Sequence, residues 1–267
     1  MFPQPLLIIA GQEIHWYGVW IAIGILACFA VLFFFGKKKG LSAKLVDFIF
    51  YAGIIAICGG FGSAALFQAF YNYLATGTFY FGGITFIGGL IGGVVIFLLL
   101  YIFWGKKYGK ISEITALAPS CILIAHGFGR IGCFFAGCCY GMETDGPLGI
   151  FTPAIGKTVV PTNLYEAIFL FILFGVLTFL YLKKSGKFNL DIYLIAYGVF
   201  RFLIEYLRGD YRGDFVPGLS PSQFWSILMI VAGIVLILLK TVYPKYFKAK
   251  VEAWWSEKRK KNKDEDK

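Results

Sequence analysis

Arg130, Glu166, Arg201 and Glu205 each lie in a stretch that is otherwise apolar. A charge within a membrane-spanning helix costs roughly 2.5–3.5 kcal/mol on insertion scales, so each such residue needs a partner or a task. Tyr197, Arg201, Glu205 and Arg208 follow one another at spacings of four, four and three, which puts them on one face of a helix. That polar stripe must face the protein interior or a wet cavity. Arg201 and Glu205 are spaced to pair, so two readings stand: a buried ion pair that fixes helix packing, or an anion site. Arg130 lies in His126-Gly127-Phe128-Gly129-Arg130-Ile131-Gly132, whose glycines clear room beside the guanidinium. A guanidinium with small neighbours suits a bidentate grip on phosphate. Pairing with Glu166 or Glu205 alone is the competing reading. Arginines gathered toward one membrane face point to a phospholipid or another amphiphilic anion, handled from the outer leaflet.

Cys133, Cys138 and Cys139 form a second cluster close to Arg130 in sequence. Three readings stand for it. One is packing and weak polarity beside a lipid. A second is a disulfide in an oxidising compartment, with Cys133 joined to either of the adjacent pair. The third is a metal site completed by His126 or Cys121, although the spacing C-x4-C-C matches no common zinc pattern. Cys28, Cys58 and Cys121 sit inside apolar runs and read as small core residues.

The elements that must position these groups are long apolar runs. The chain has 267 residues, of which 58% are hydrophobic, 19% aromatic and only 15% charged. A soluble domain carries about a quarter charged residues, so this chain has too little polar surface to cover a globule. Seven runs stand out, near residues 16–35, 46–70, 84–104, 114–134, 163–182, 190–207 and 222–239. Runs of roughly 18 or more apolar residues read as spanning helices. The expected fold is therefore an all-α, polytopic integral membrane protein. A transmembrane domain covers 1–242 and a basic tail covers 243–267. That tail includes Trp254-Trp255 and is suited to an interfacial helix. Small residues let membrane helices approach closely, which accounts for most of the glycines. The dense stretch 82–93 suggests a broken segment in addition.

The net charge of +10 does not point to nucleic acid, because of where it falls. Lys37, Lys38, Lys39 and Lys44 follow the first run, Lys106, Lys107 and Lys110 the third, and Lys183, Lys184 and Lys187 the fifth. Ten more lysines and arginines, from Lys240 onward, follow the seventh, whereas the intervening loops hold Lys157, Arg208 and Arg212. The positive-inside rule then sets the N-terminus outside and the C-terminus in the cytoplasm, an orientation that needs an odd number of spans. No Lys or Arg precedes the first run, so a cleavable signal peptide is not expected and that run reads as a retained helix.

The segment Gly129-Arg130-Ile131-Gly132-Cys133-Phe134-Phe135-Ala136-Gly137-Cys138-Cys139-Tyr140-Gly141 resembles a signature of the bacterial prolipoprotein diacylglyceryl transferases, G-R-I-G-N-F-x-N-G-E-x-x-G. Other pieces resemble that family in the same order. They are His15-Trp16-Tyr17-Gly18, the stretch from Gly82 to Gly89, Pro161-Thr162-Asn163-Leu164-Tyr165-Glu166, the helix from Tyr197 to Glu205, and Ser220-Pro221-Ser222-Gln223. Each is weak alone; together they reach to about Leu239.

The resemblance implies an enzyme of the bacterial inner membrane, monomeric and without metal or organic cofactor. It would move the diacylglyceryl group of phosphatidylglycerol to the lipobox cysteine thiol of a prolipoprotein and release glycerol phosphate. Carried over by position, Arg130 would bind the phosphate and Arg201 would hold it or assist its departure. Tyr17 and Tyr197 would line the site and Glu205 would orient Arg201. Glu166 would lend polar support, and Cys133, Gly141 and Arg208 would complete the substrate-binding set. The chain departs from the family pattern at Cys133, Ala136 and Cys138, which stand for two asparagines and a glutamate. Ile87 and Val160 stand for histidines and Asn163 for a glutamine. Two rival readings remain: a membrane protein that binds an anionic lipid without transferring it, and a thiol-redox membrane protein using the cysteine cluster.

Overall fold

A computed structural model describes residues 5–9, 12–83, 85–153, 155–209 and 218–242. The basic tail with Trp254-Trp255, together with Ile84, Arg212 and Pro217, lies outside the described residues. Seven α-helices occur among them: α1 Trp16–Lys38, α2 Ala43–Thr76, α3 Phe86–Phe103, α4 Ile111–Ala136, α5 Thr162–Lys183, α6 Asn189–Ile204 and α7 Pro221–Thr241. Each expected apolar run is a helix, with shifted ends. α1, α2, α4, α5 and α7 are long and apolar enough to cross a membrane by length and composition; α3 contributes a shorter apolar stretch. Large apolar side chains stand exposed along the helices, among them Leu26, Phe34, Phe61 and Phe103. An apolar surface of that extent has no place in water and suits hydrocarbon. The chain is a multi-pass membrane protein.

Two small antiparallel hairpins were not foreseen. β1 (Leu7–Ile9) pairs with β2 (Gln12–Ile14) ahead of α1, and β3 (Ile150–Thr152) pairs with β4 (Lys157–Val159) between α4 and α5. Three-residue strands are too short for an alternation of apolar and polar residues to show in sequence. A Lys157–Glu143 ion pair ties the second hairpin to the segment leaving α4.

The closest packing joins α1 to α4, α4 to α5, α6 to α7 and α2 to α3. Glycine governs the α2–α3 seam, as expected. A Cβ on Gly60 would lie 3.0 Å from the Gly89 carbonyl oxygen, and Ser63 Oγ donates to the Gly88 carbonyl at 2.8 Å. Of the stretch 82–93, where a broken segment is expected, only the described part before Phe86 is non-helical; Gly88 to Gly93 lie within α3. α2 runs on to Thr76, residues 77–83 are not helical, and Thr85 N donates back to the Ala64 carbonyl at 3.1 Å. α3 thus begins about 18 Å below the end of α2, counting twelve residues at 1.5 Å each.

The two ends of the bundle differ in charge. At one end, Lys39 Nζ donates to the Lys184 carbonyl at 2.7 Å, while Lys240 Nζ meets both oxygens of fully buried Asp191 at 2.7 and 2.9 Å. Asn189, also buried, donates to the carbonyls of Ala116 and Leu177, both at 2.9 Å, and so clamps α4, α5 and α6 together. The arginines lie at the opposite end.

Candidate functional site

Five helix termini converge at the arginine end: the starts of α1, α5 and α7 and the last turns of α4 and α6. Glu166, one turn into α5 and 1% exposed, is the hub. Its Oε1 accepts from Tyr197 Oη at 2.7 Å and lies 3.0 Å from Arg130 Nη2. Two donors converge on one oxygen, and one of them is charged, so this carboxylate stays ionised and balances the guanidinium.

Arg130 Nε donates to His126 Nε2 at 3.3 Å, one turn back along α4. An imidazole nitrogen that accepts carries no proton, so His126 is neutral here with its proton on Nδ1. Its ring meets Tyr197 edge-on at 5.2 Å between centroids. His126, one candidate for completing a metal site with the cysteines, lies instead against Arg130 and outside the cysteine group; its spacing of four from Arg130 is the signal that links them.

Arg201 forms a second, parallel arrangement. Nη1 lies 2.8 Å from Glu205 Oε2, and Nη2 donates to Ser222 Oγ at 2.7 Å. Glu205 falls in a 3-10 turn, Glu205–Leu207, just past the end of α6. Its other oxygen accepts from Ser220 Oγ at 2.9 Å, and Arg208 Nε approaches Oε2 at 4.0 Å. Ser220 and Gln223 form a reciprocal cap at the start of α7, which fixes the helix terminus that presents Ser222. Ser222 carries no role in the resemblance; the signal for it is a hydroxyl in the first turn of a capped helix.

Both arginines are thus paired with carboxylates, as the competing reading held, yet neither is used up. A guanidinium has five N–H donors. One hydrogen bond and one ion-pair contact hold each guanidinium, and further N–H donors remain on both among the described residues. The Arg130 side chain keeps 17% of its surface accessible and that of Arg201 10%.

The glycines around Arg130 act differently from expectation. Gly127 admits the Phe171 ring and Gly132 admits Tyr17, at 2.7 and 3.3 Å from a would-be Cβ. Gly129 alone faces open space. Glycine here serves helix contact more than clearance for the guanidinium. Tyr17 is half-exposed at the top of α1 and stands within electrostatic reach of Arg130 and Cys133. Gly141 is buried, and a Cβ there would meet the Leu207 carbonyl oxygen at 2.5 Å, so it lets the chain after α4 pass against the backbone at Leu207 and Arg208. Cys28 and Cys121 are core residues, whereas Cys58 is exposed on α2. None of the six cysteines forms a disulfide.

An apolar groove of about 560 Å³ runs between α1, α2, α3 and α4, past Phe29, Phe61, Leu90 and Phe97. On α4 it ends at Ile122, eight residues and about 12 Å short of Arg130 along the helix axis.

The family described as prolipoprotein diacylglyceryl transferase matches residues 5–239 of this chain. A phosphatidylglycerol–prolipoprotein diacylglyceryl transferase of Clostridium tetani is 37% identical over 238 residues, which cover 84% of this chain and 92% of the relative. One from Clostridium perfringens, designated transferase 2, is 33% identical over 243 residues, covering 85% and 91%. One from Bordetella bronchiseptica is 34% identical over 244 residues, covering 84% and 90%.

Proposed function

This chain belongs to the prolipoprotein diacylglyceryl transferase family, and from that premise we propose that Arg130 and Arg201 hold the phosphate of phosphatidylglycerol while its diacylglyceryl group passes to a lipobox cysteine thiol. The chain is a diacylglyceryl transferase; it acts on prolipoproteins and draws the group from phosphatidylglycerol. Family membership leaves the lipid-binding and thiol-redox alternatives without support.

The observation that carries the residue assignment is the convergence of Arg130 and Arg201 from separate helices on one end of the bundle, each tethered by a carboxylate with donors in reserve. The substrate thiolate attacks the glyceryl carbon bonded to the phosphate oxygen. A sulfur–carbon bond forms, the carbon–oxygen bond breaks, and its electron pair stays on the phosphate. Glycerol phosphate leaves with one more negative charge than the bound diester carried. Donors fixed in place before the reaction stabilise that growing charge without reorganising. Glu166 and Glu205 position the two guanidinium groups, Tyr197 positions Glu166, and Tyr17 with Arg208 borders the headgroup. Cys133 lies at the lipid side of the site, and Gly141 shapes its loop. The acyl chains descend toward the apolar groove, whose end on α4 lies about 12 Å below Arg130.

The seven helices all cross, with the N-terminus outside and the C-terminus, including the tail, in the cytoplasm. α6 is about 24 Å long, and its 3-10 turn adds about 6 Å, which together match the roughly 30 Å hydrocarbon core. The lysine-lined end is cytoplasmic by the positive-inside rule, and the chain works as a monomer in the bacterial inner membrane. Complementation of a transferase-depleted cell tests the assignment: the wild-type chain rescues growth, while Arg201→Ala inserts normally and does not. Rescue by both Arg130→Ala and Arg201→Ala would refute it.

A further inference from the structure

We propose that Cys133, Cys138 and Cys139 bind a zinc ion whose open fourth position takes the thiolate of the incoming lipobox cysteine. This inference rests on the transferase reading and supplies that reaction with an activated nucleophile.

Their three sulfur atoms all lie within 4.8 Å of one another. At a Zn–S distance of about 2.3 Å, tetrahedral thiolates stand about 3.8 Å apart, so closing on an ion takes about 1 Å of movement. The backbone that carries them is held in place. Cys133 is on the last turn of α4, and Gly137 ends that helix in the left-handed region. Asn163 Nδ2 donates to the Cys138 carbonyl at 3.0 Å and Thr162 Oγ1 to the Cys139 carbonyl at 2.9 Å. Asn163 and Thr162 are both buried at the start of α5. Cys139 has φ +60°, the one positive value among described residues other than glycine. A conformation of that kind costs of order 1 kcal/mol and persists where its surroundings enforce it. Here it brings the third thiol back to the other two.

The cluster is also in the right place. Cys133 follows Arg130 by three residues on α4 and so shares its face. Zn²⁺ with three thiolates carries a net charge of −1, one helical turn from the Arg130 guanidinium. Cys138 is exposed, so one side stays open to a substrate. Three protein ligands with an open position is the arrangement of catalytic rather than structural zinc. The lipobox thiol displaces bound water and loses its proton to solvent, since a thiol that coordinates a metal is deprotonated outright. Its sulfur then attacks the glyceryl carbon; the Zn–S bond gives way as the thioether forms, and water returns. A free thiol near pKa 8.5 is a few per cent thiolate at neutral pH, so coordination raises the reactive fraction by up to about 30-fold.

The full chain, purified under reducing conditions and loaded with Zn²⁺, should retain about one ion per chain, with three sulfurs at about 2.3 Å by X-ray absorption. A lipobox-cysteine peptide should add a fourth. Cys133→Ser, Cys138→Ser and Cys139→Ser should each lower retention to background, and Cys58→Ser should not. Chelated protein should transfer more slowly by up to about 30-fold and recover with Zn²⁺. Zinc retained by the serine variants, no zinc in the wild type, no fourth sulfur, or equal transfer by chelated protein would each overturn the proposal. A Cys133 disulfide after reductant-free purification that persists in active protein would also overturn it. Loss of zinc sites with transfer intact sinks the metal alone, whereas absence of transfer by wild type with and without zinc sinks the transferase assignment.

Discussion

Arg130→Lys keeps the positive charge beside Glu166 and removes the planar fork. The native guanidinium contacts Glu166 through Nη2 and His126 through Nε and keeps further N–H donors. A lysine ammonium has three donors in all and acts as a point charge. If it stays on Glu166, the buried carboxylate remains paired, so the loss in stability is that of the charge-assisted bond to His126, about 1.5–3 kcal/mol. Phosphate loses a bidentate pair. Each hydrogen bond to a charged group is worth about 1.5–3 kcal/mol, so two lost bonds amount to about 3–6 kcal/mol. At about 1.4 kcal/mol per tenfold, kcat/KM falls by about 10²–10⁴. The assay is thioether formation on a lipobox peptide from detergent-dispersed phosphatidylglycerol, with thermal unfolding measured on the same preparation. Activity within threefold of wild type would refute the phosphate role of Arg130. A collapse in stability equal to the loss in activity would reassign Arg130 to helix packing.

Three further outcomes separate site from scaffold. Tyr197→Phe removes the 2.7 Å bond to Glu166 and should cost about 1.5–3 kcal/mol by thermal or denaturant unfolding, with a fall in kcat. Asn189→Ala, at the opposite end, leaves two buried carbonyls without their amide donor; it should destabilise by about 1–3 kcal/mol and leave kcat/KM per folded molecule unchanged. Gly60→Val forces apart backbones that already meet at the Gly89 carbonyl and should cost about 1–3 kcal/mol, read as a lower melting temperature in detergent.

Much of the site was legible because intramembrane charge is scarce. Arg130, Glu166, Arg201 and Glu205 drew notice on cost alone, and the four-residue spacing of Tyr197, Arg201 and Glu205 already placed them on one face. The pairing of Arg201 with Glu205 was legible in their spacing of four, whereas the choice of Glu166 over Glu205 as the partner of Arg130 was not. Pairing Arg130 with Glu166 depends on how α4 packs on α5, and no local pattern encodes that. Asp191 went unremarked because it opens a helix, where an acid is ordinary; burial and its contact with Lys240 across α7 make it structural. Helix ends slipped where backbone geometry overrode hydropathy. α2 continues past its apolar run to a glycine cap, and α3 starts late because residues 77–83 run back toward Ala64. The three cysteines were seen as a cluster, but their mutual distance depends on a left-handed Cys139 that sequence alone does not announce.

Dipolar recoupling between ¹⁵N-labelled arginine side chains and the ³¹P of bound phosphatidylglycerol addresses the phosphate directly, and the chain has only five arginines to label. Guanidinium hydrogen bonds to phosphate, at about 2.9 Å between N and O, should give strong dephasing that weakens in both Arg130→Lys and Arg201→Lys. Unchanged dephasing in both variants would contradict the account. So would a headgroup settled instead in the 510 Å³ cavity of the lysine end, beside Lys44 and Tyr108.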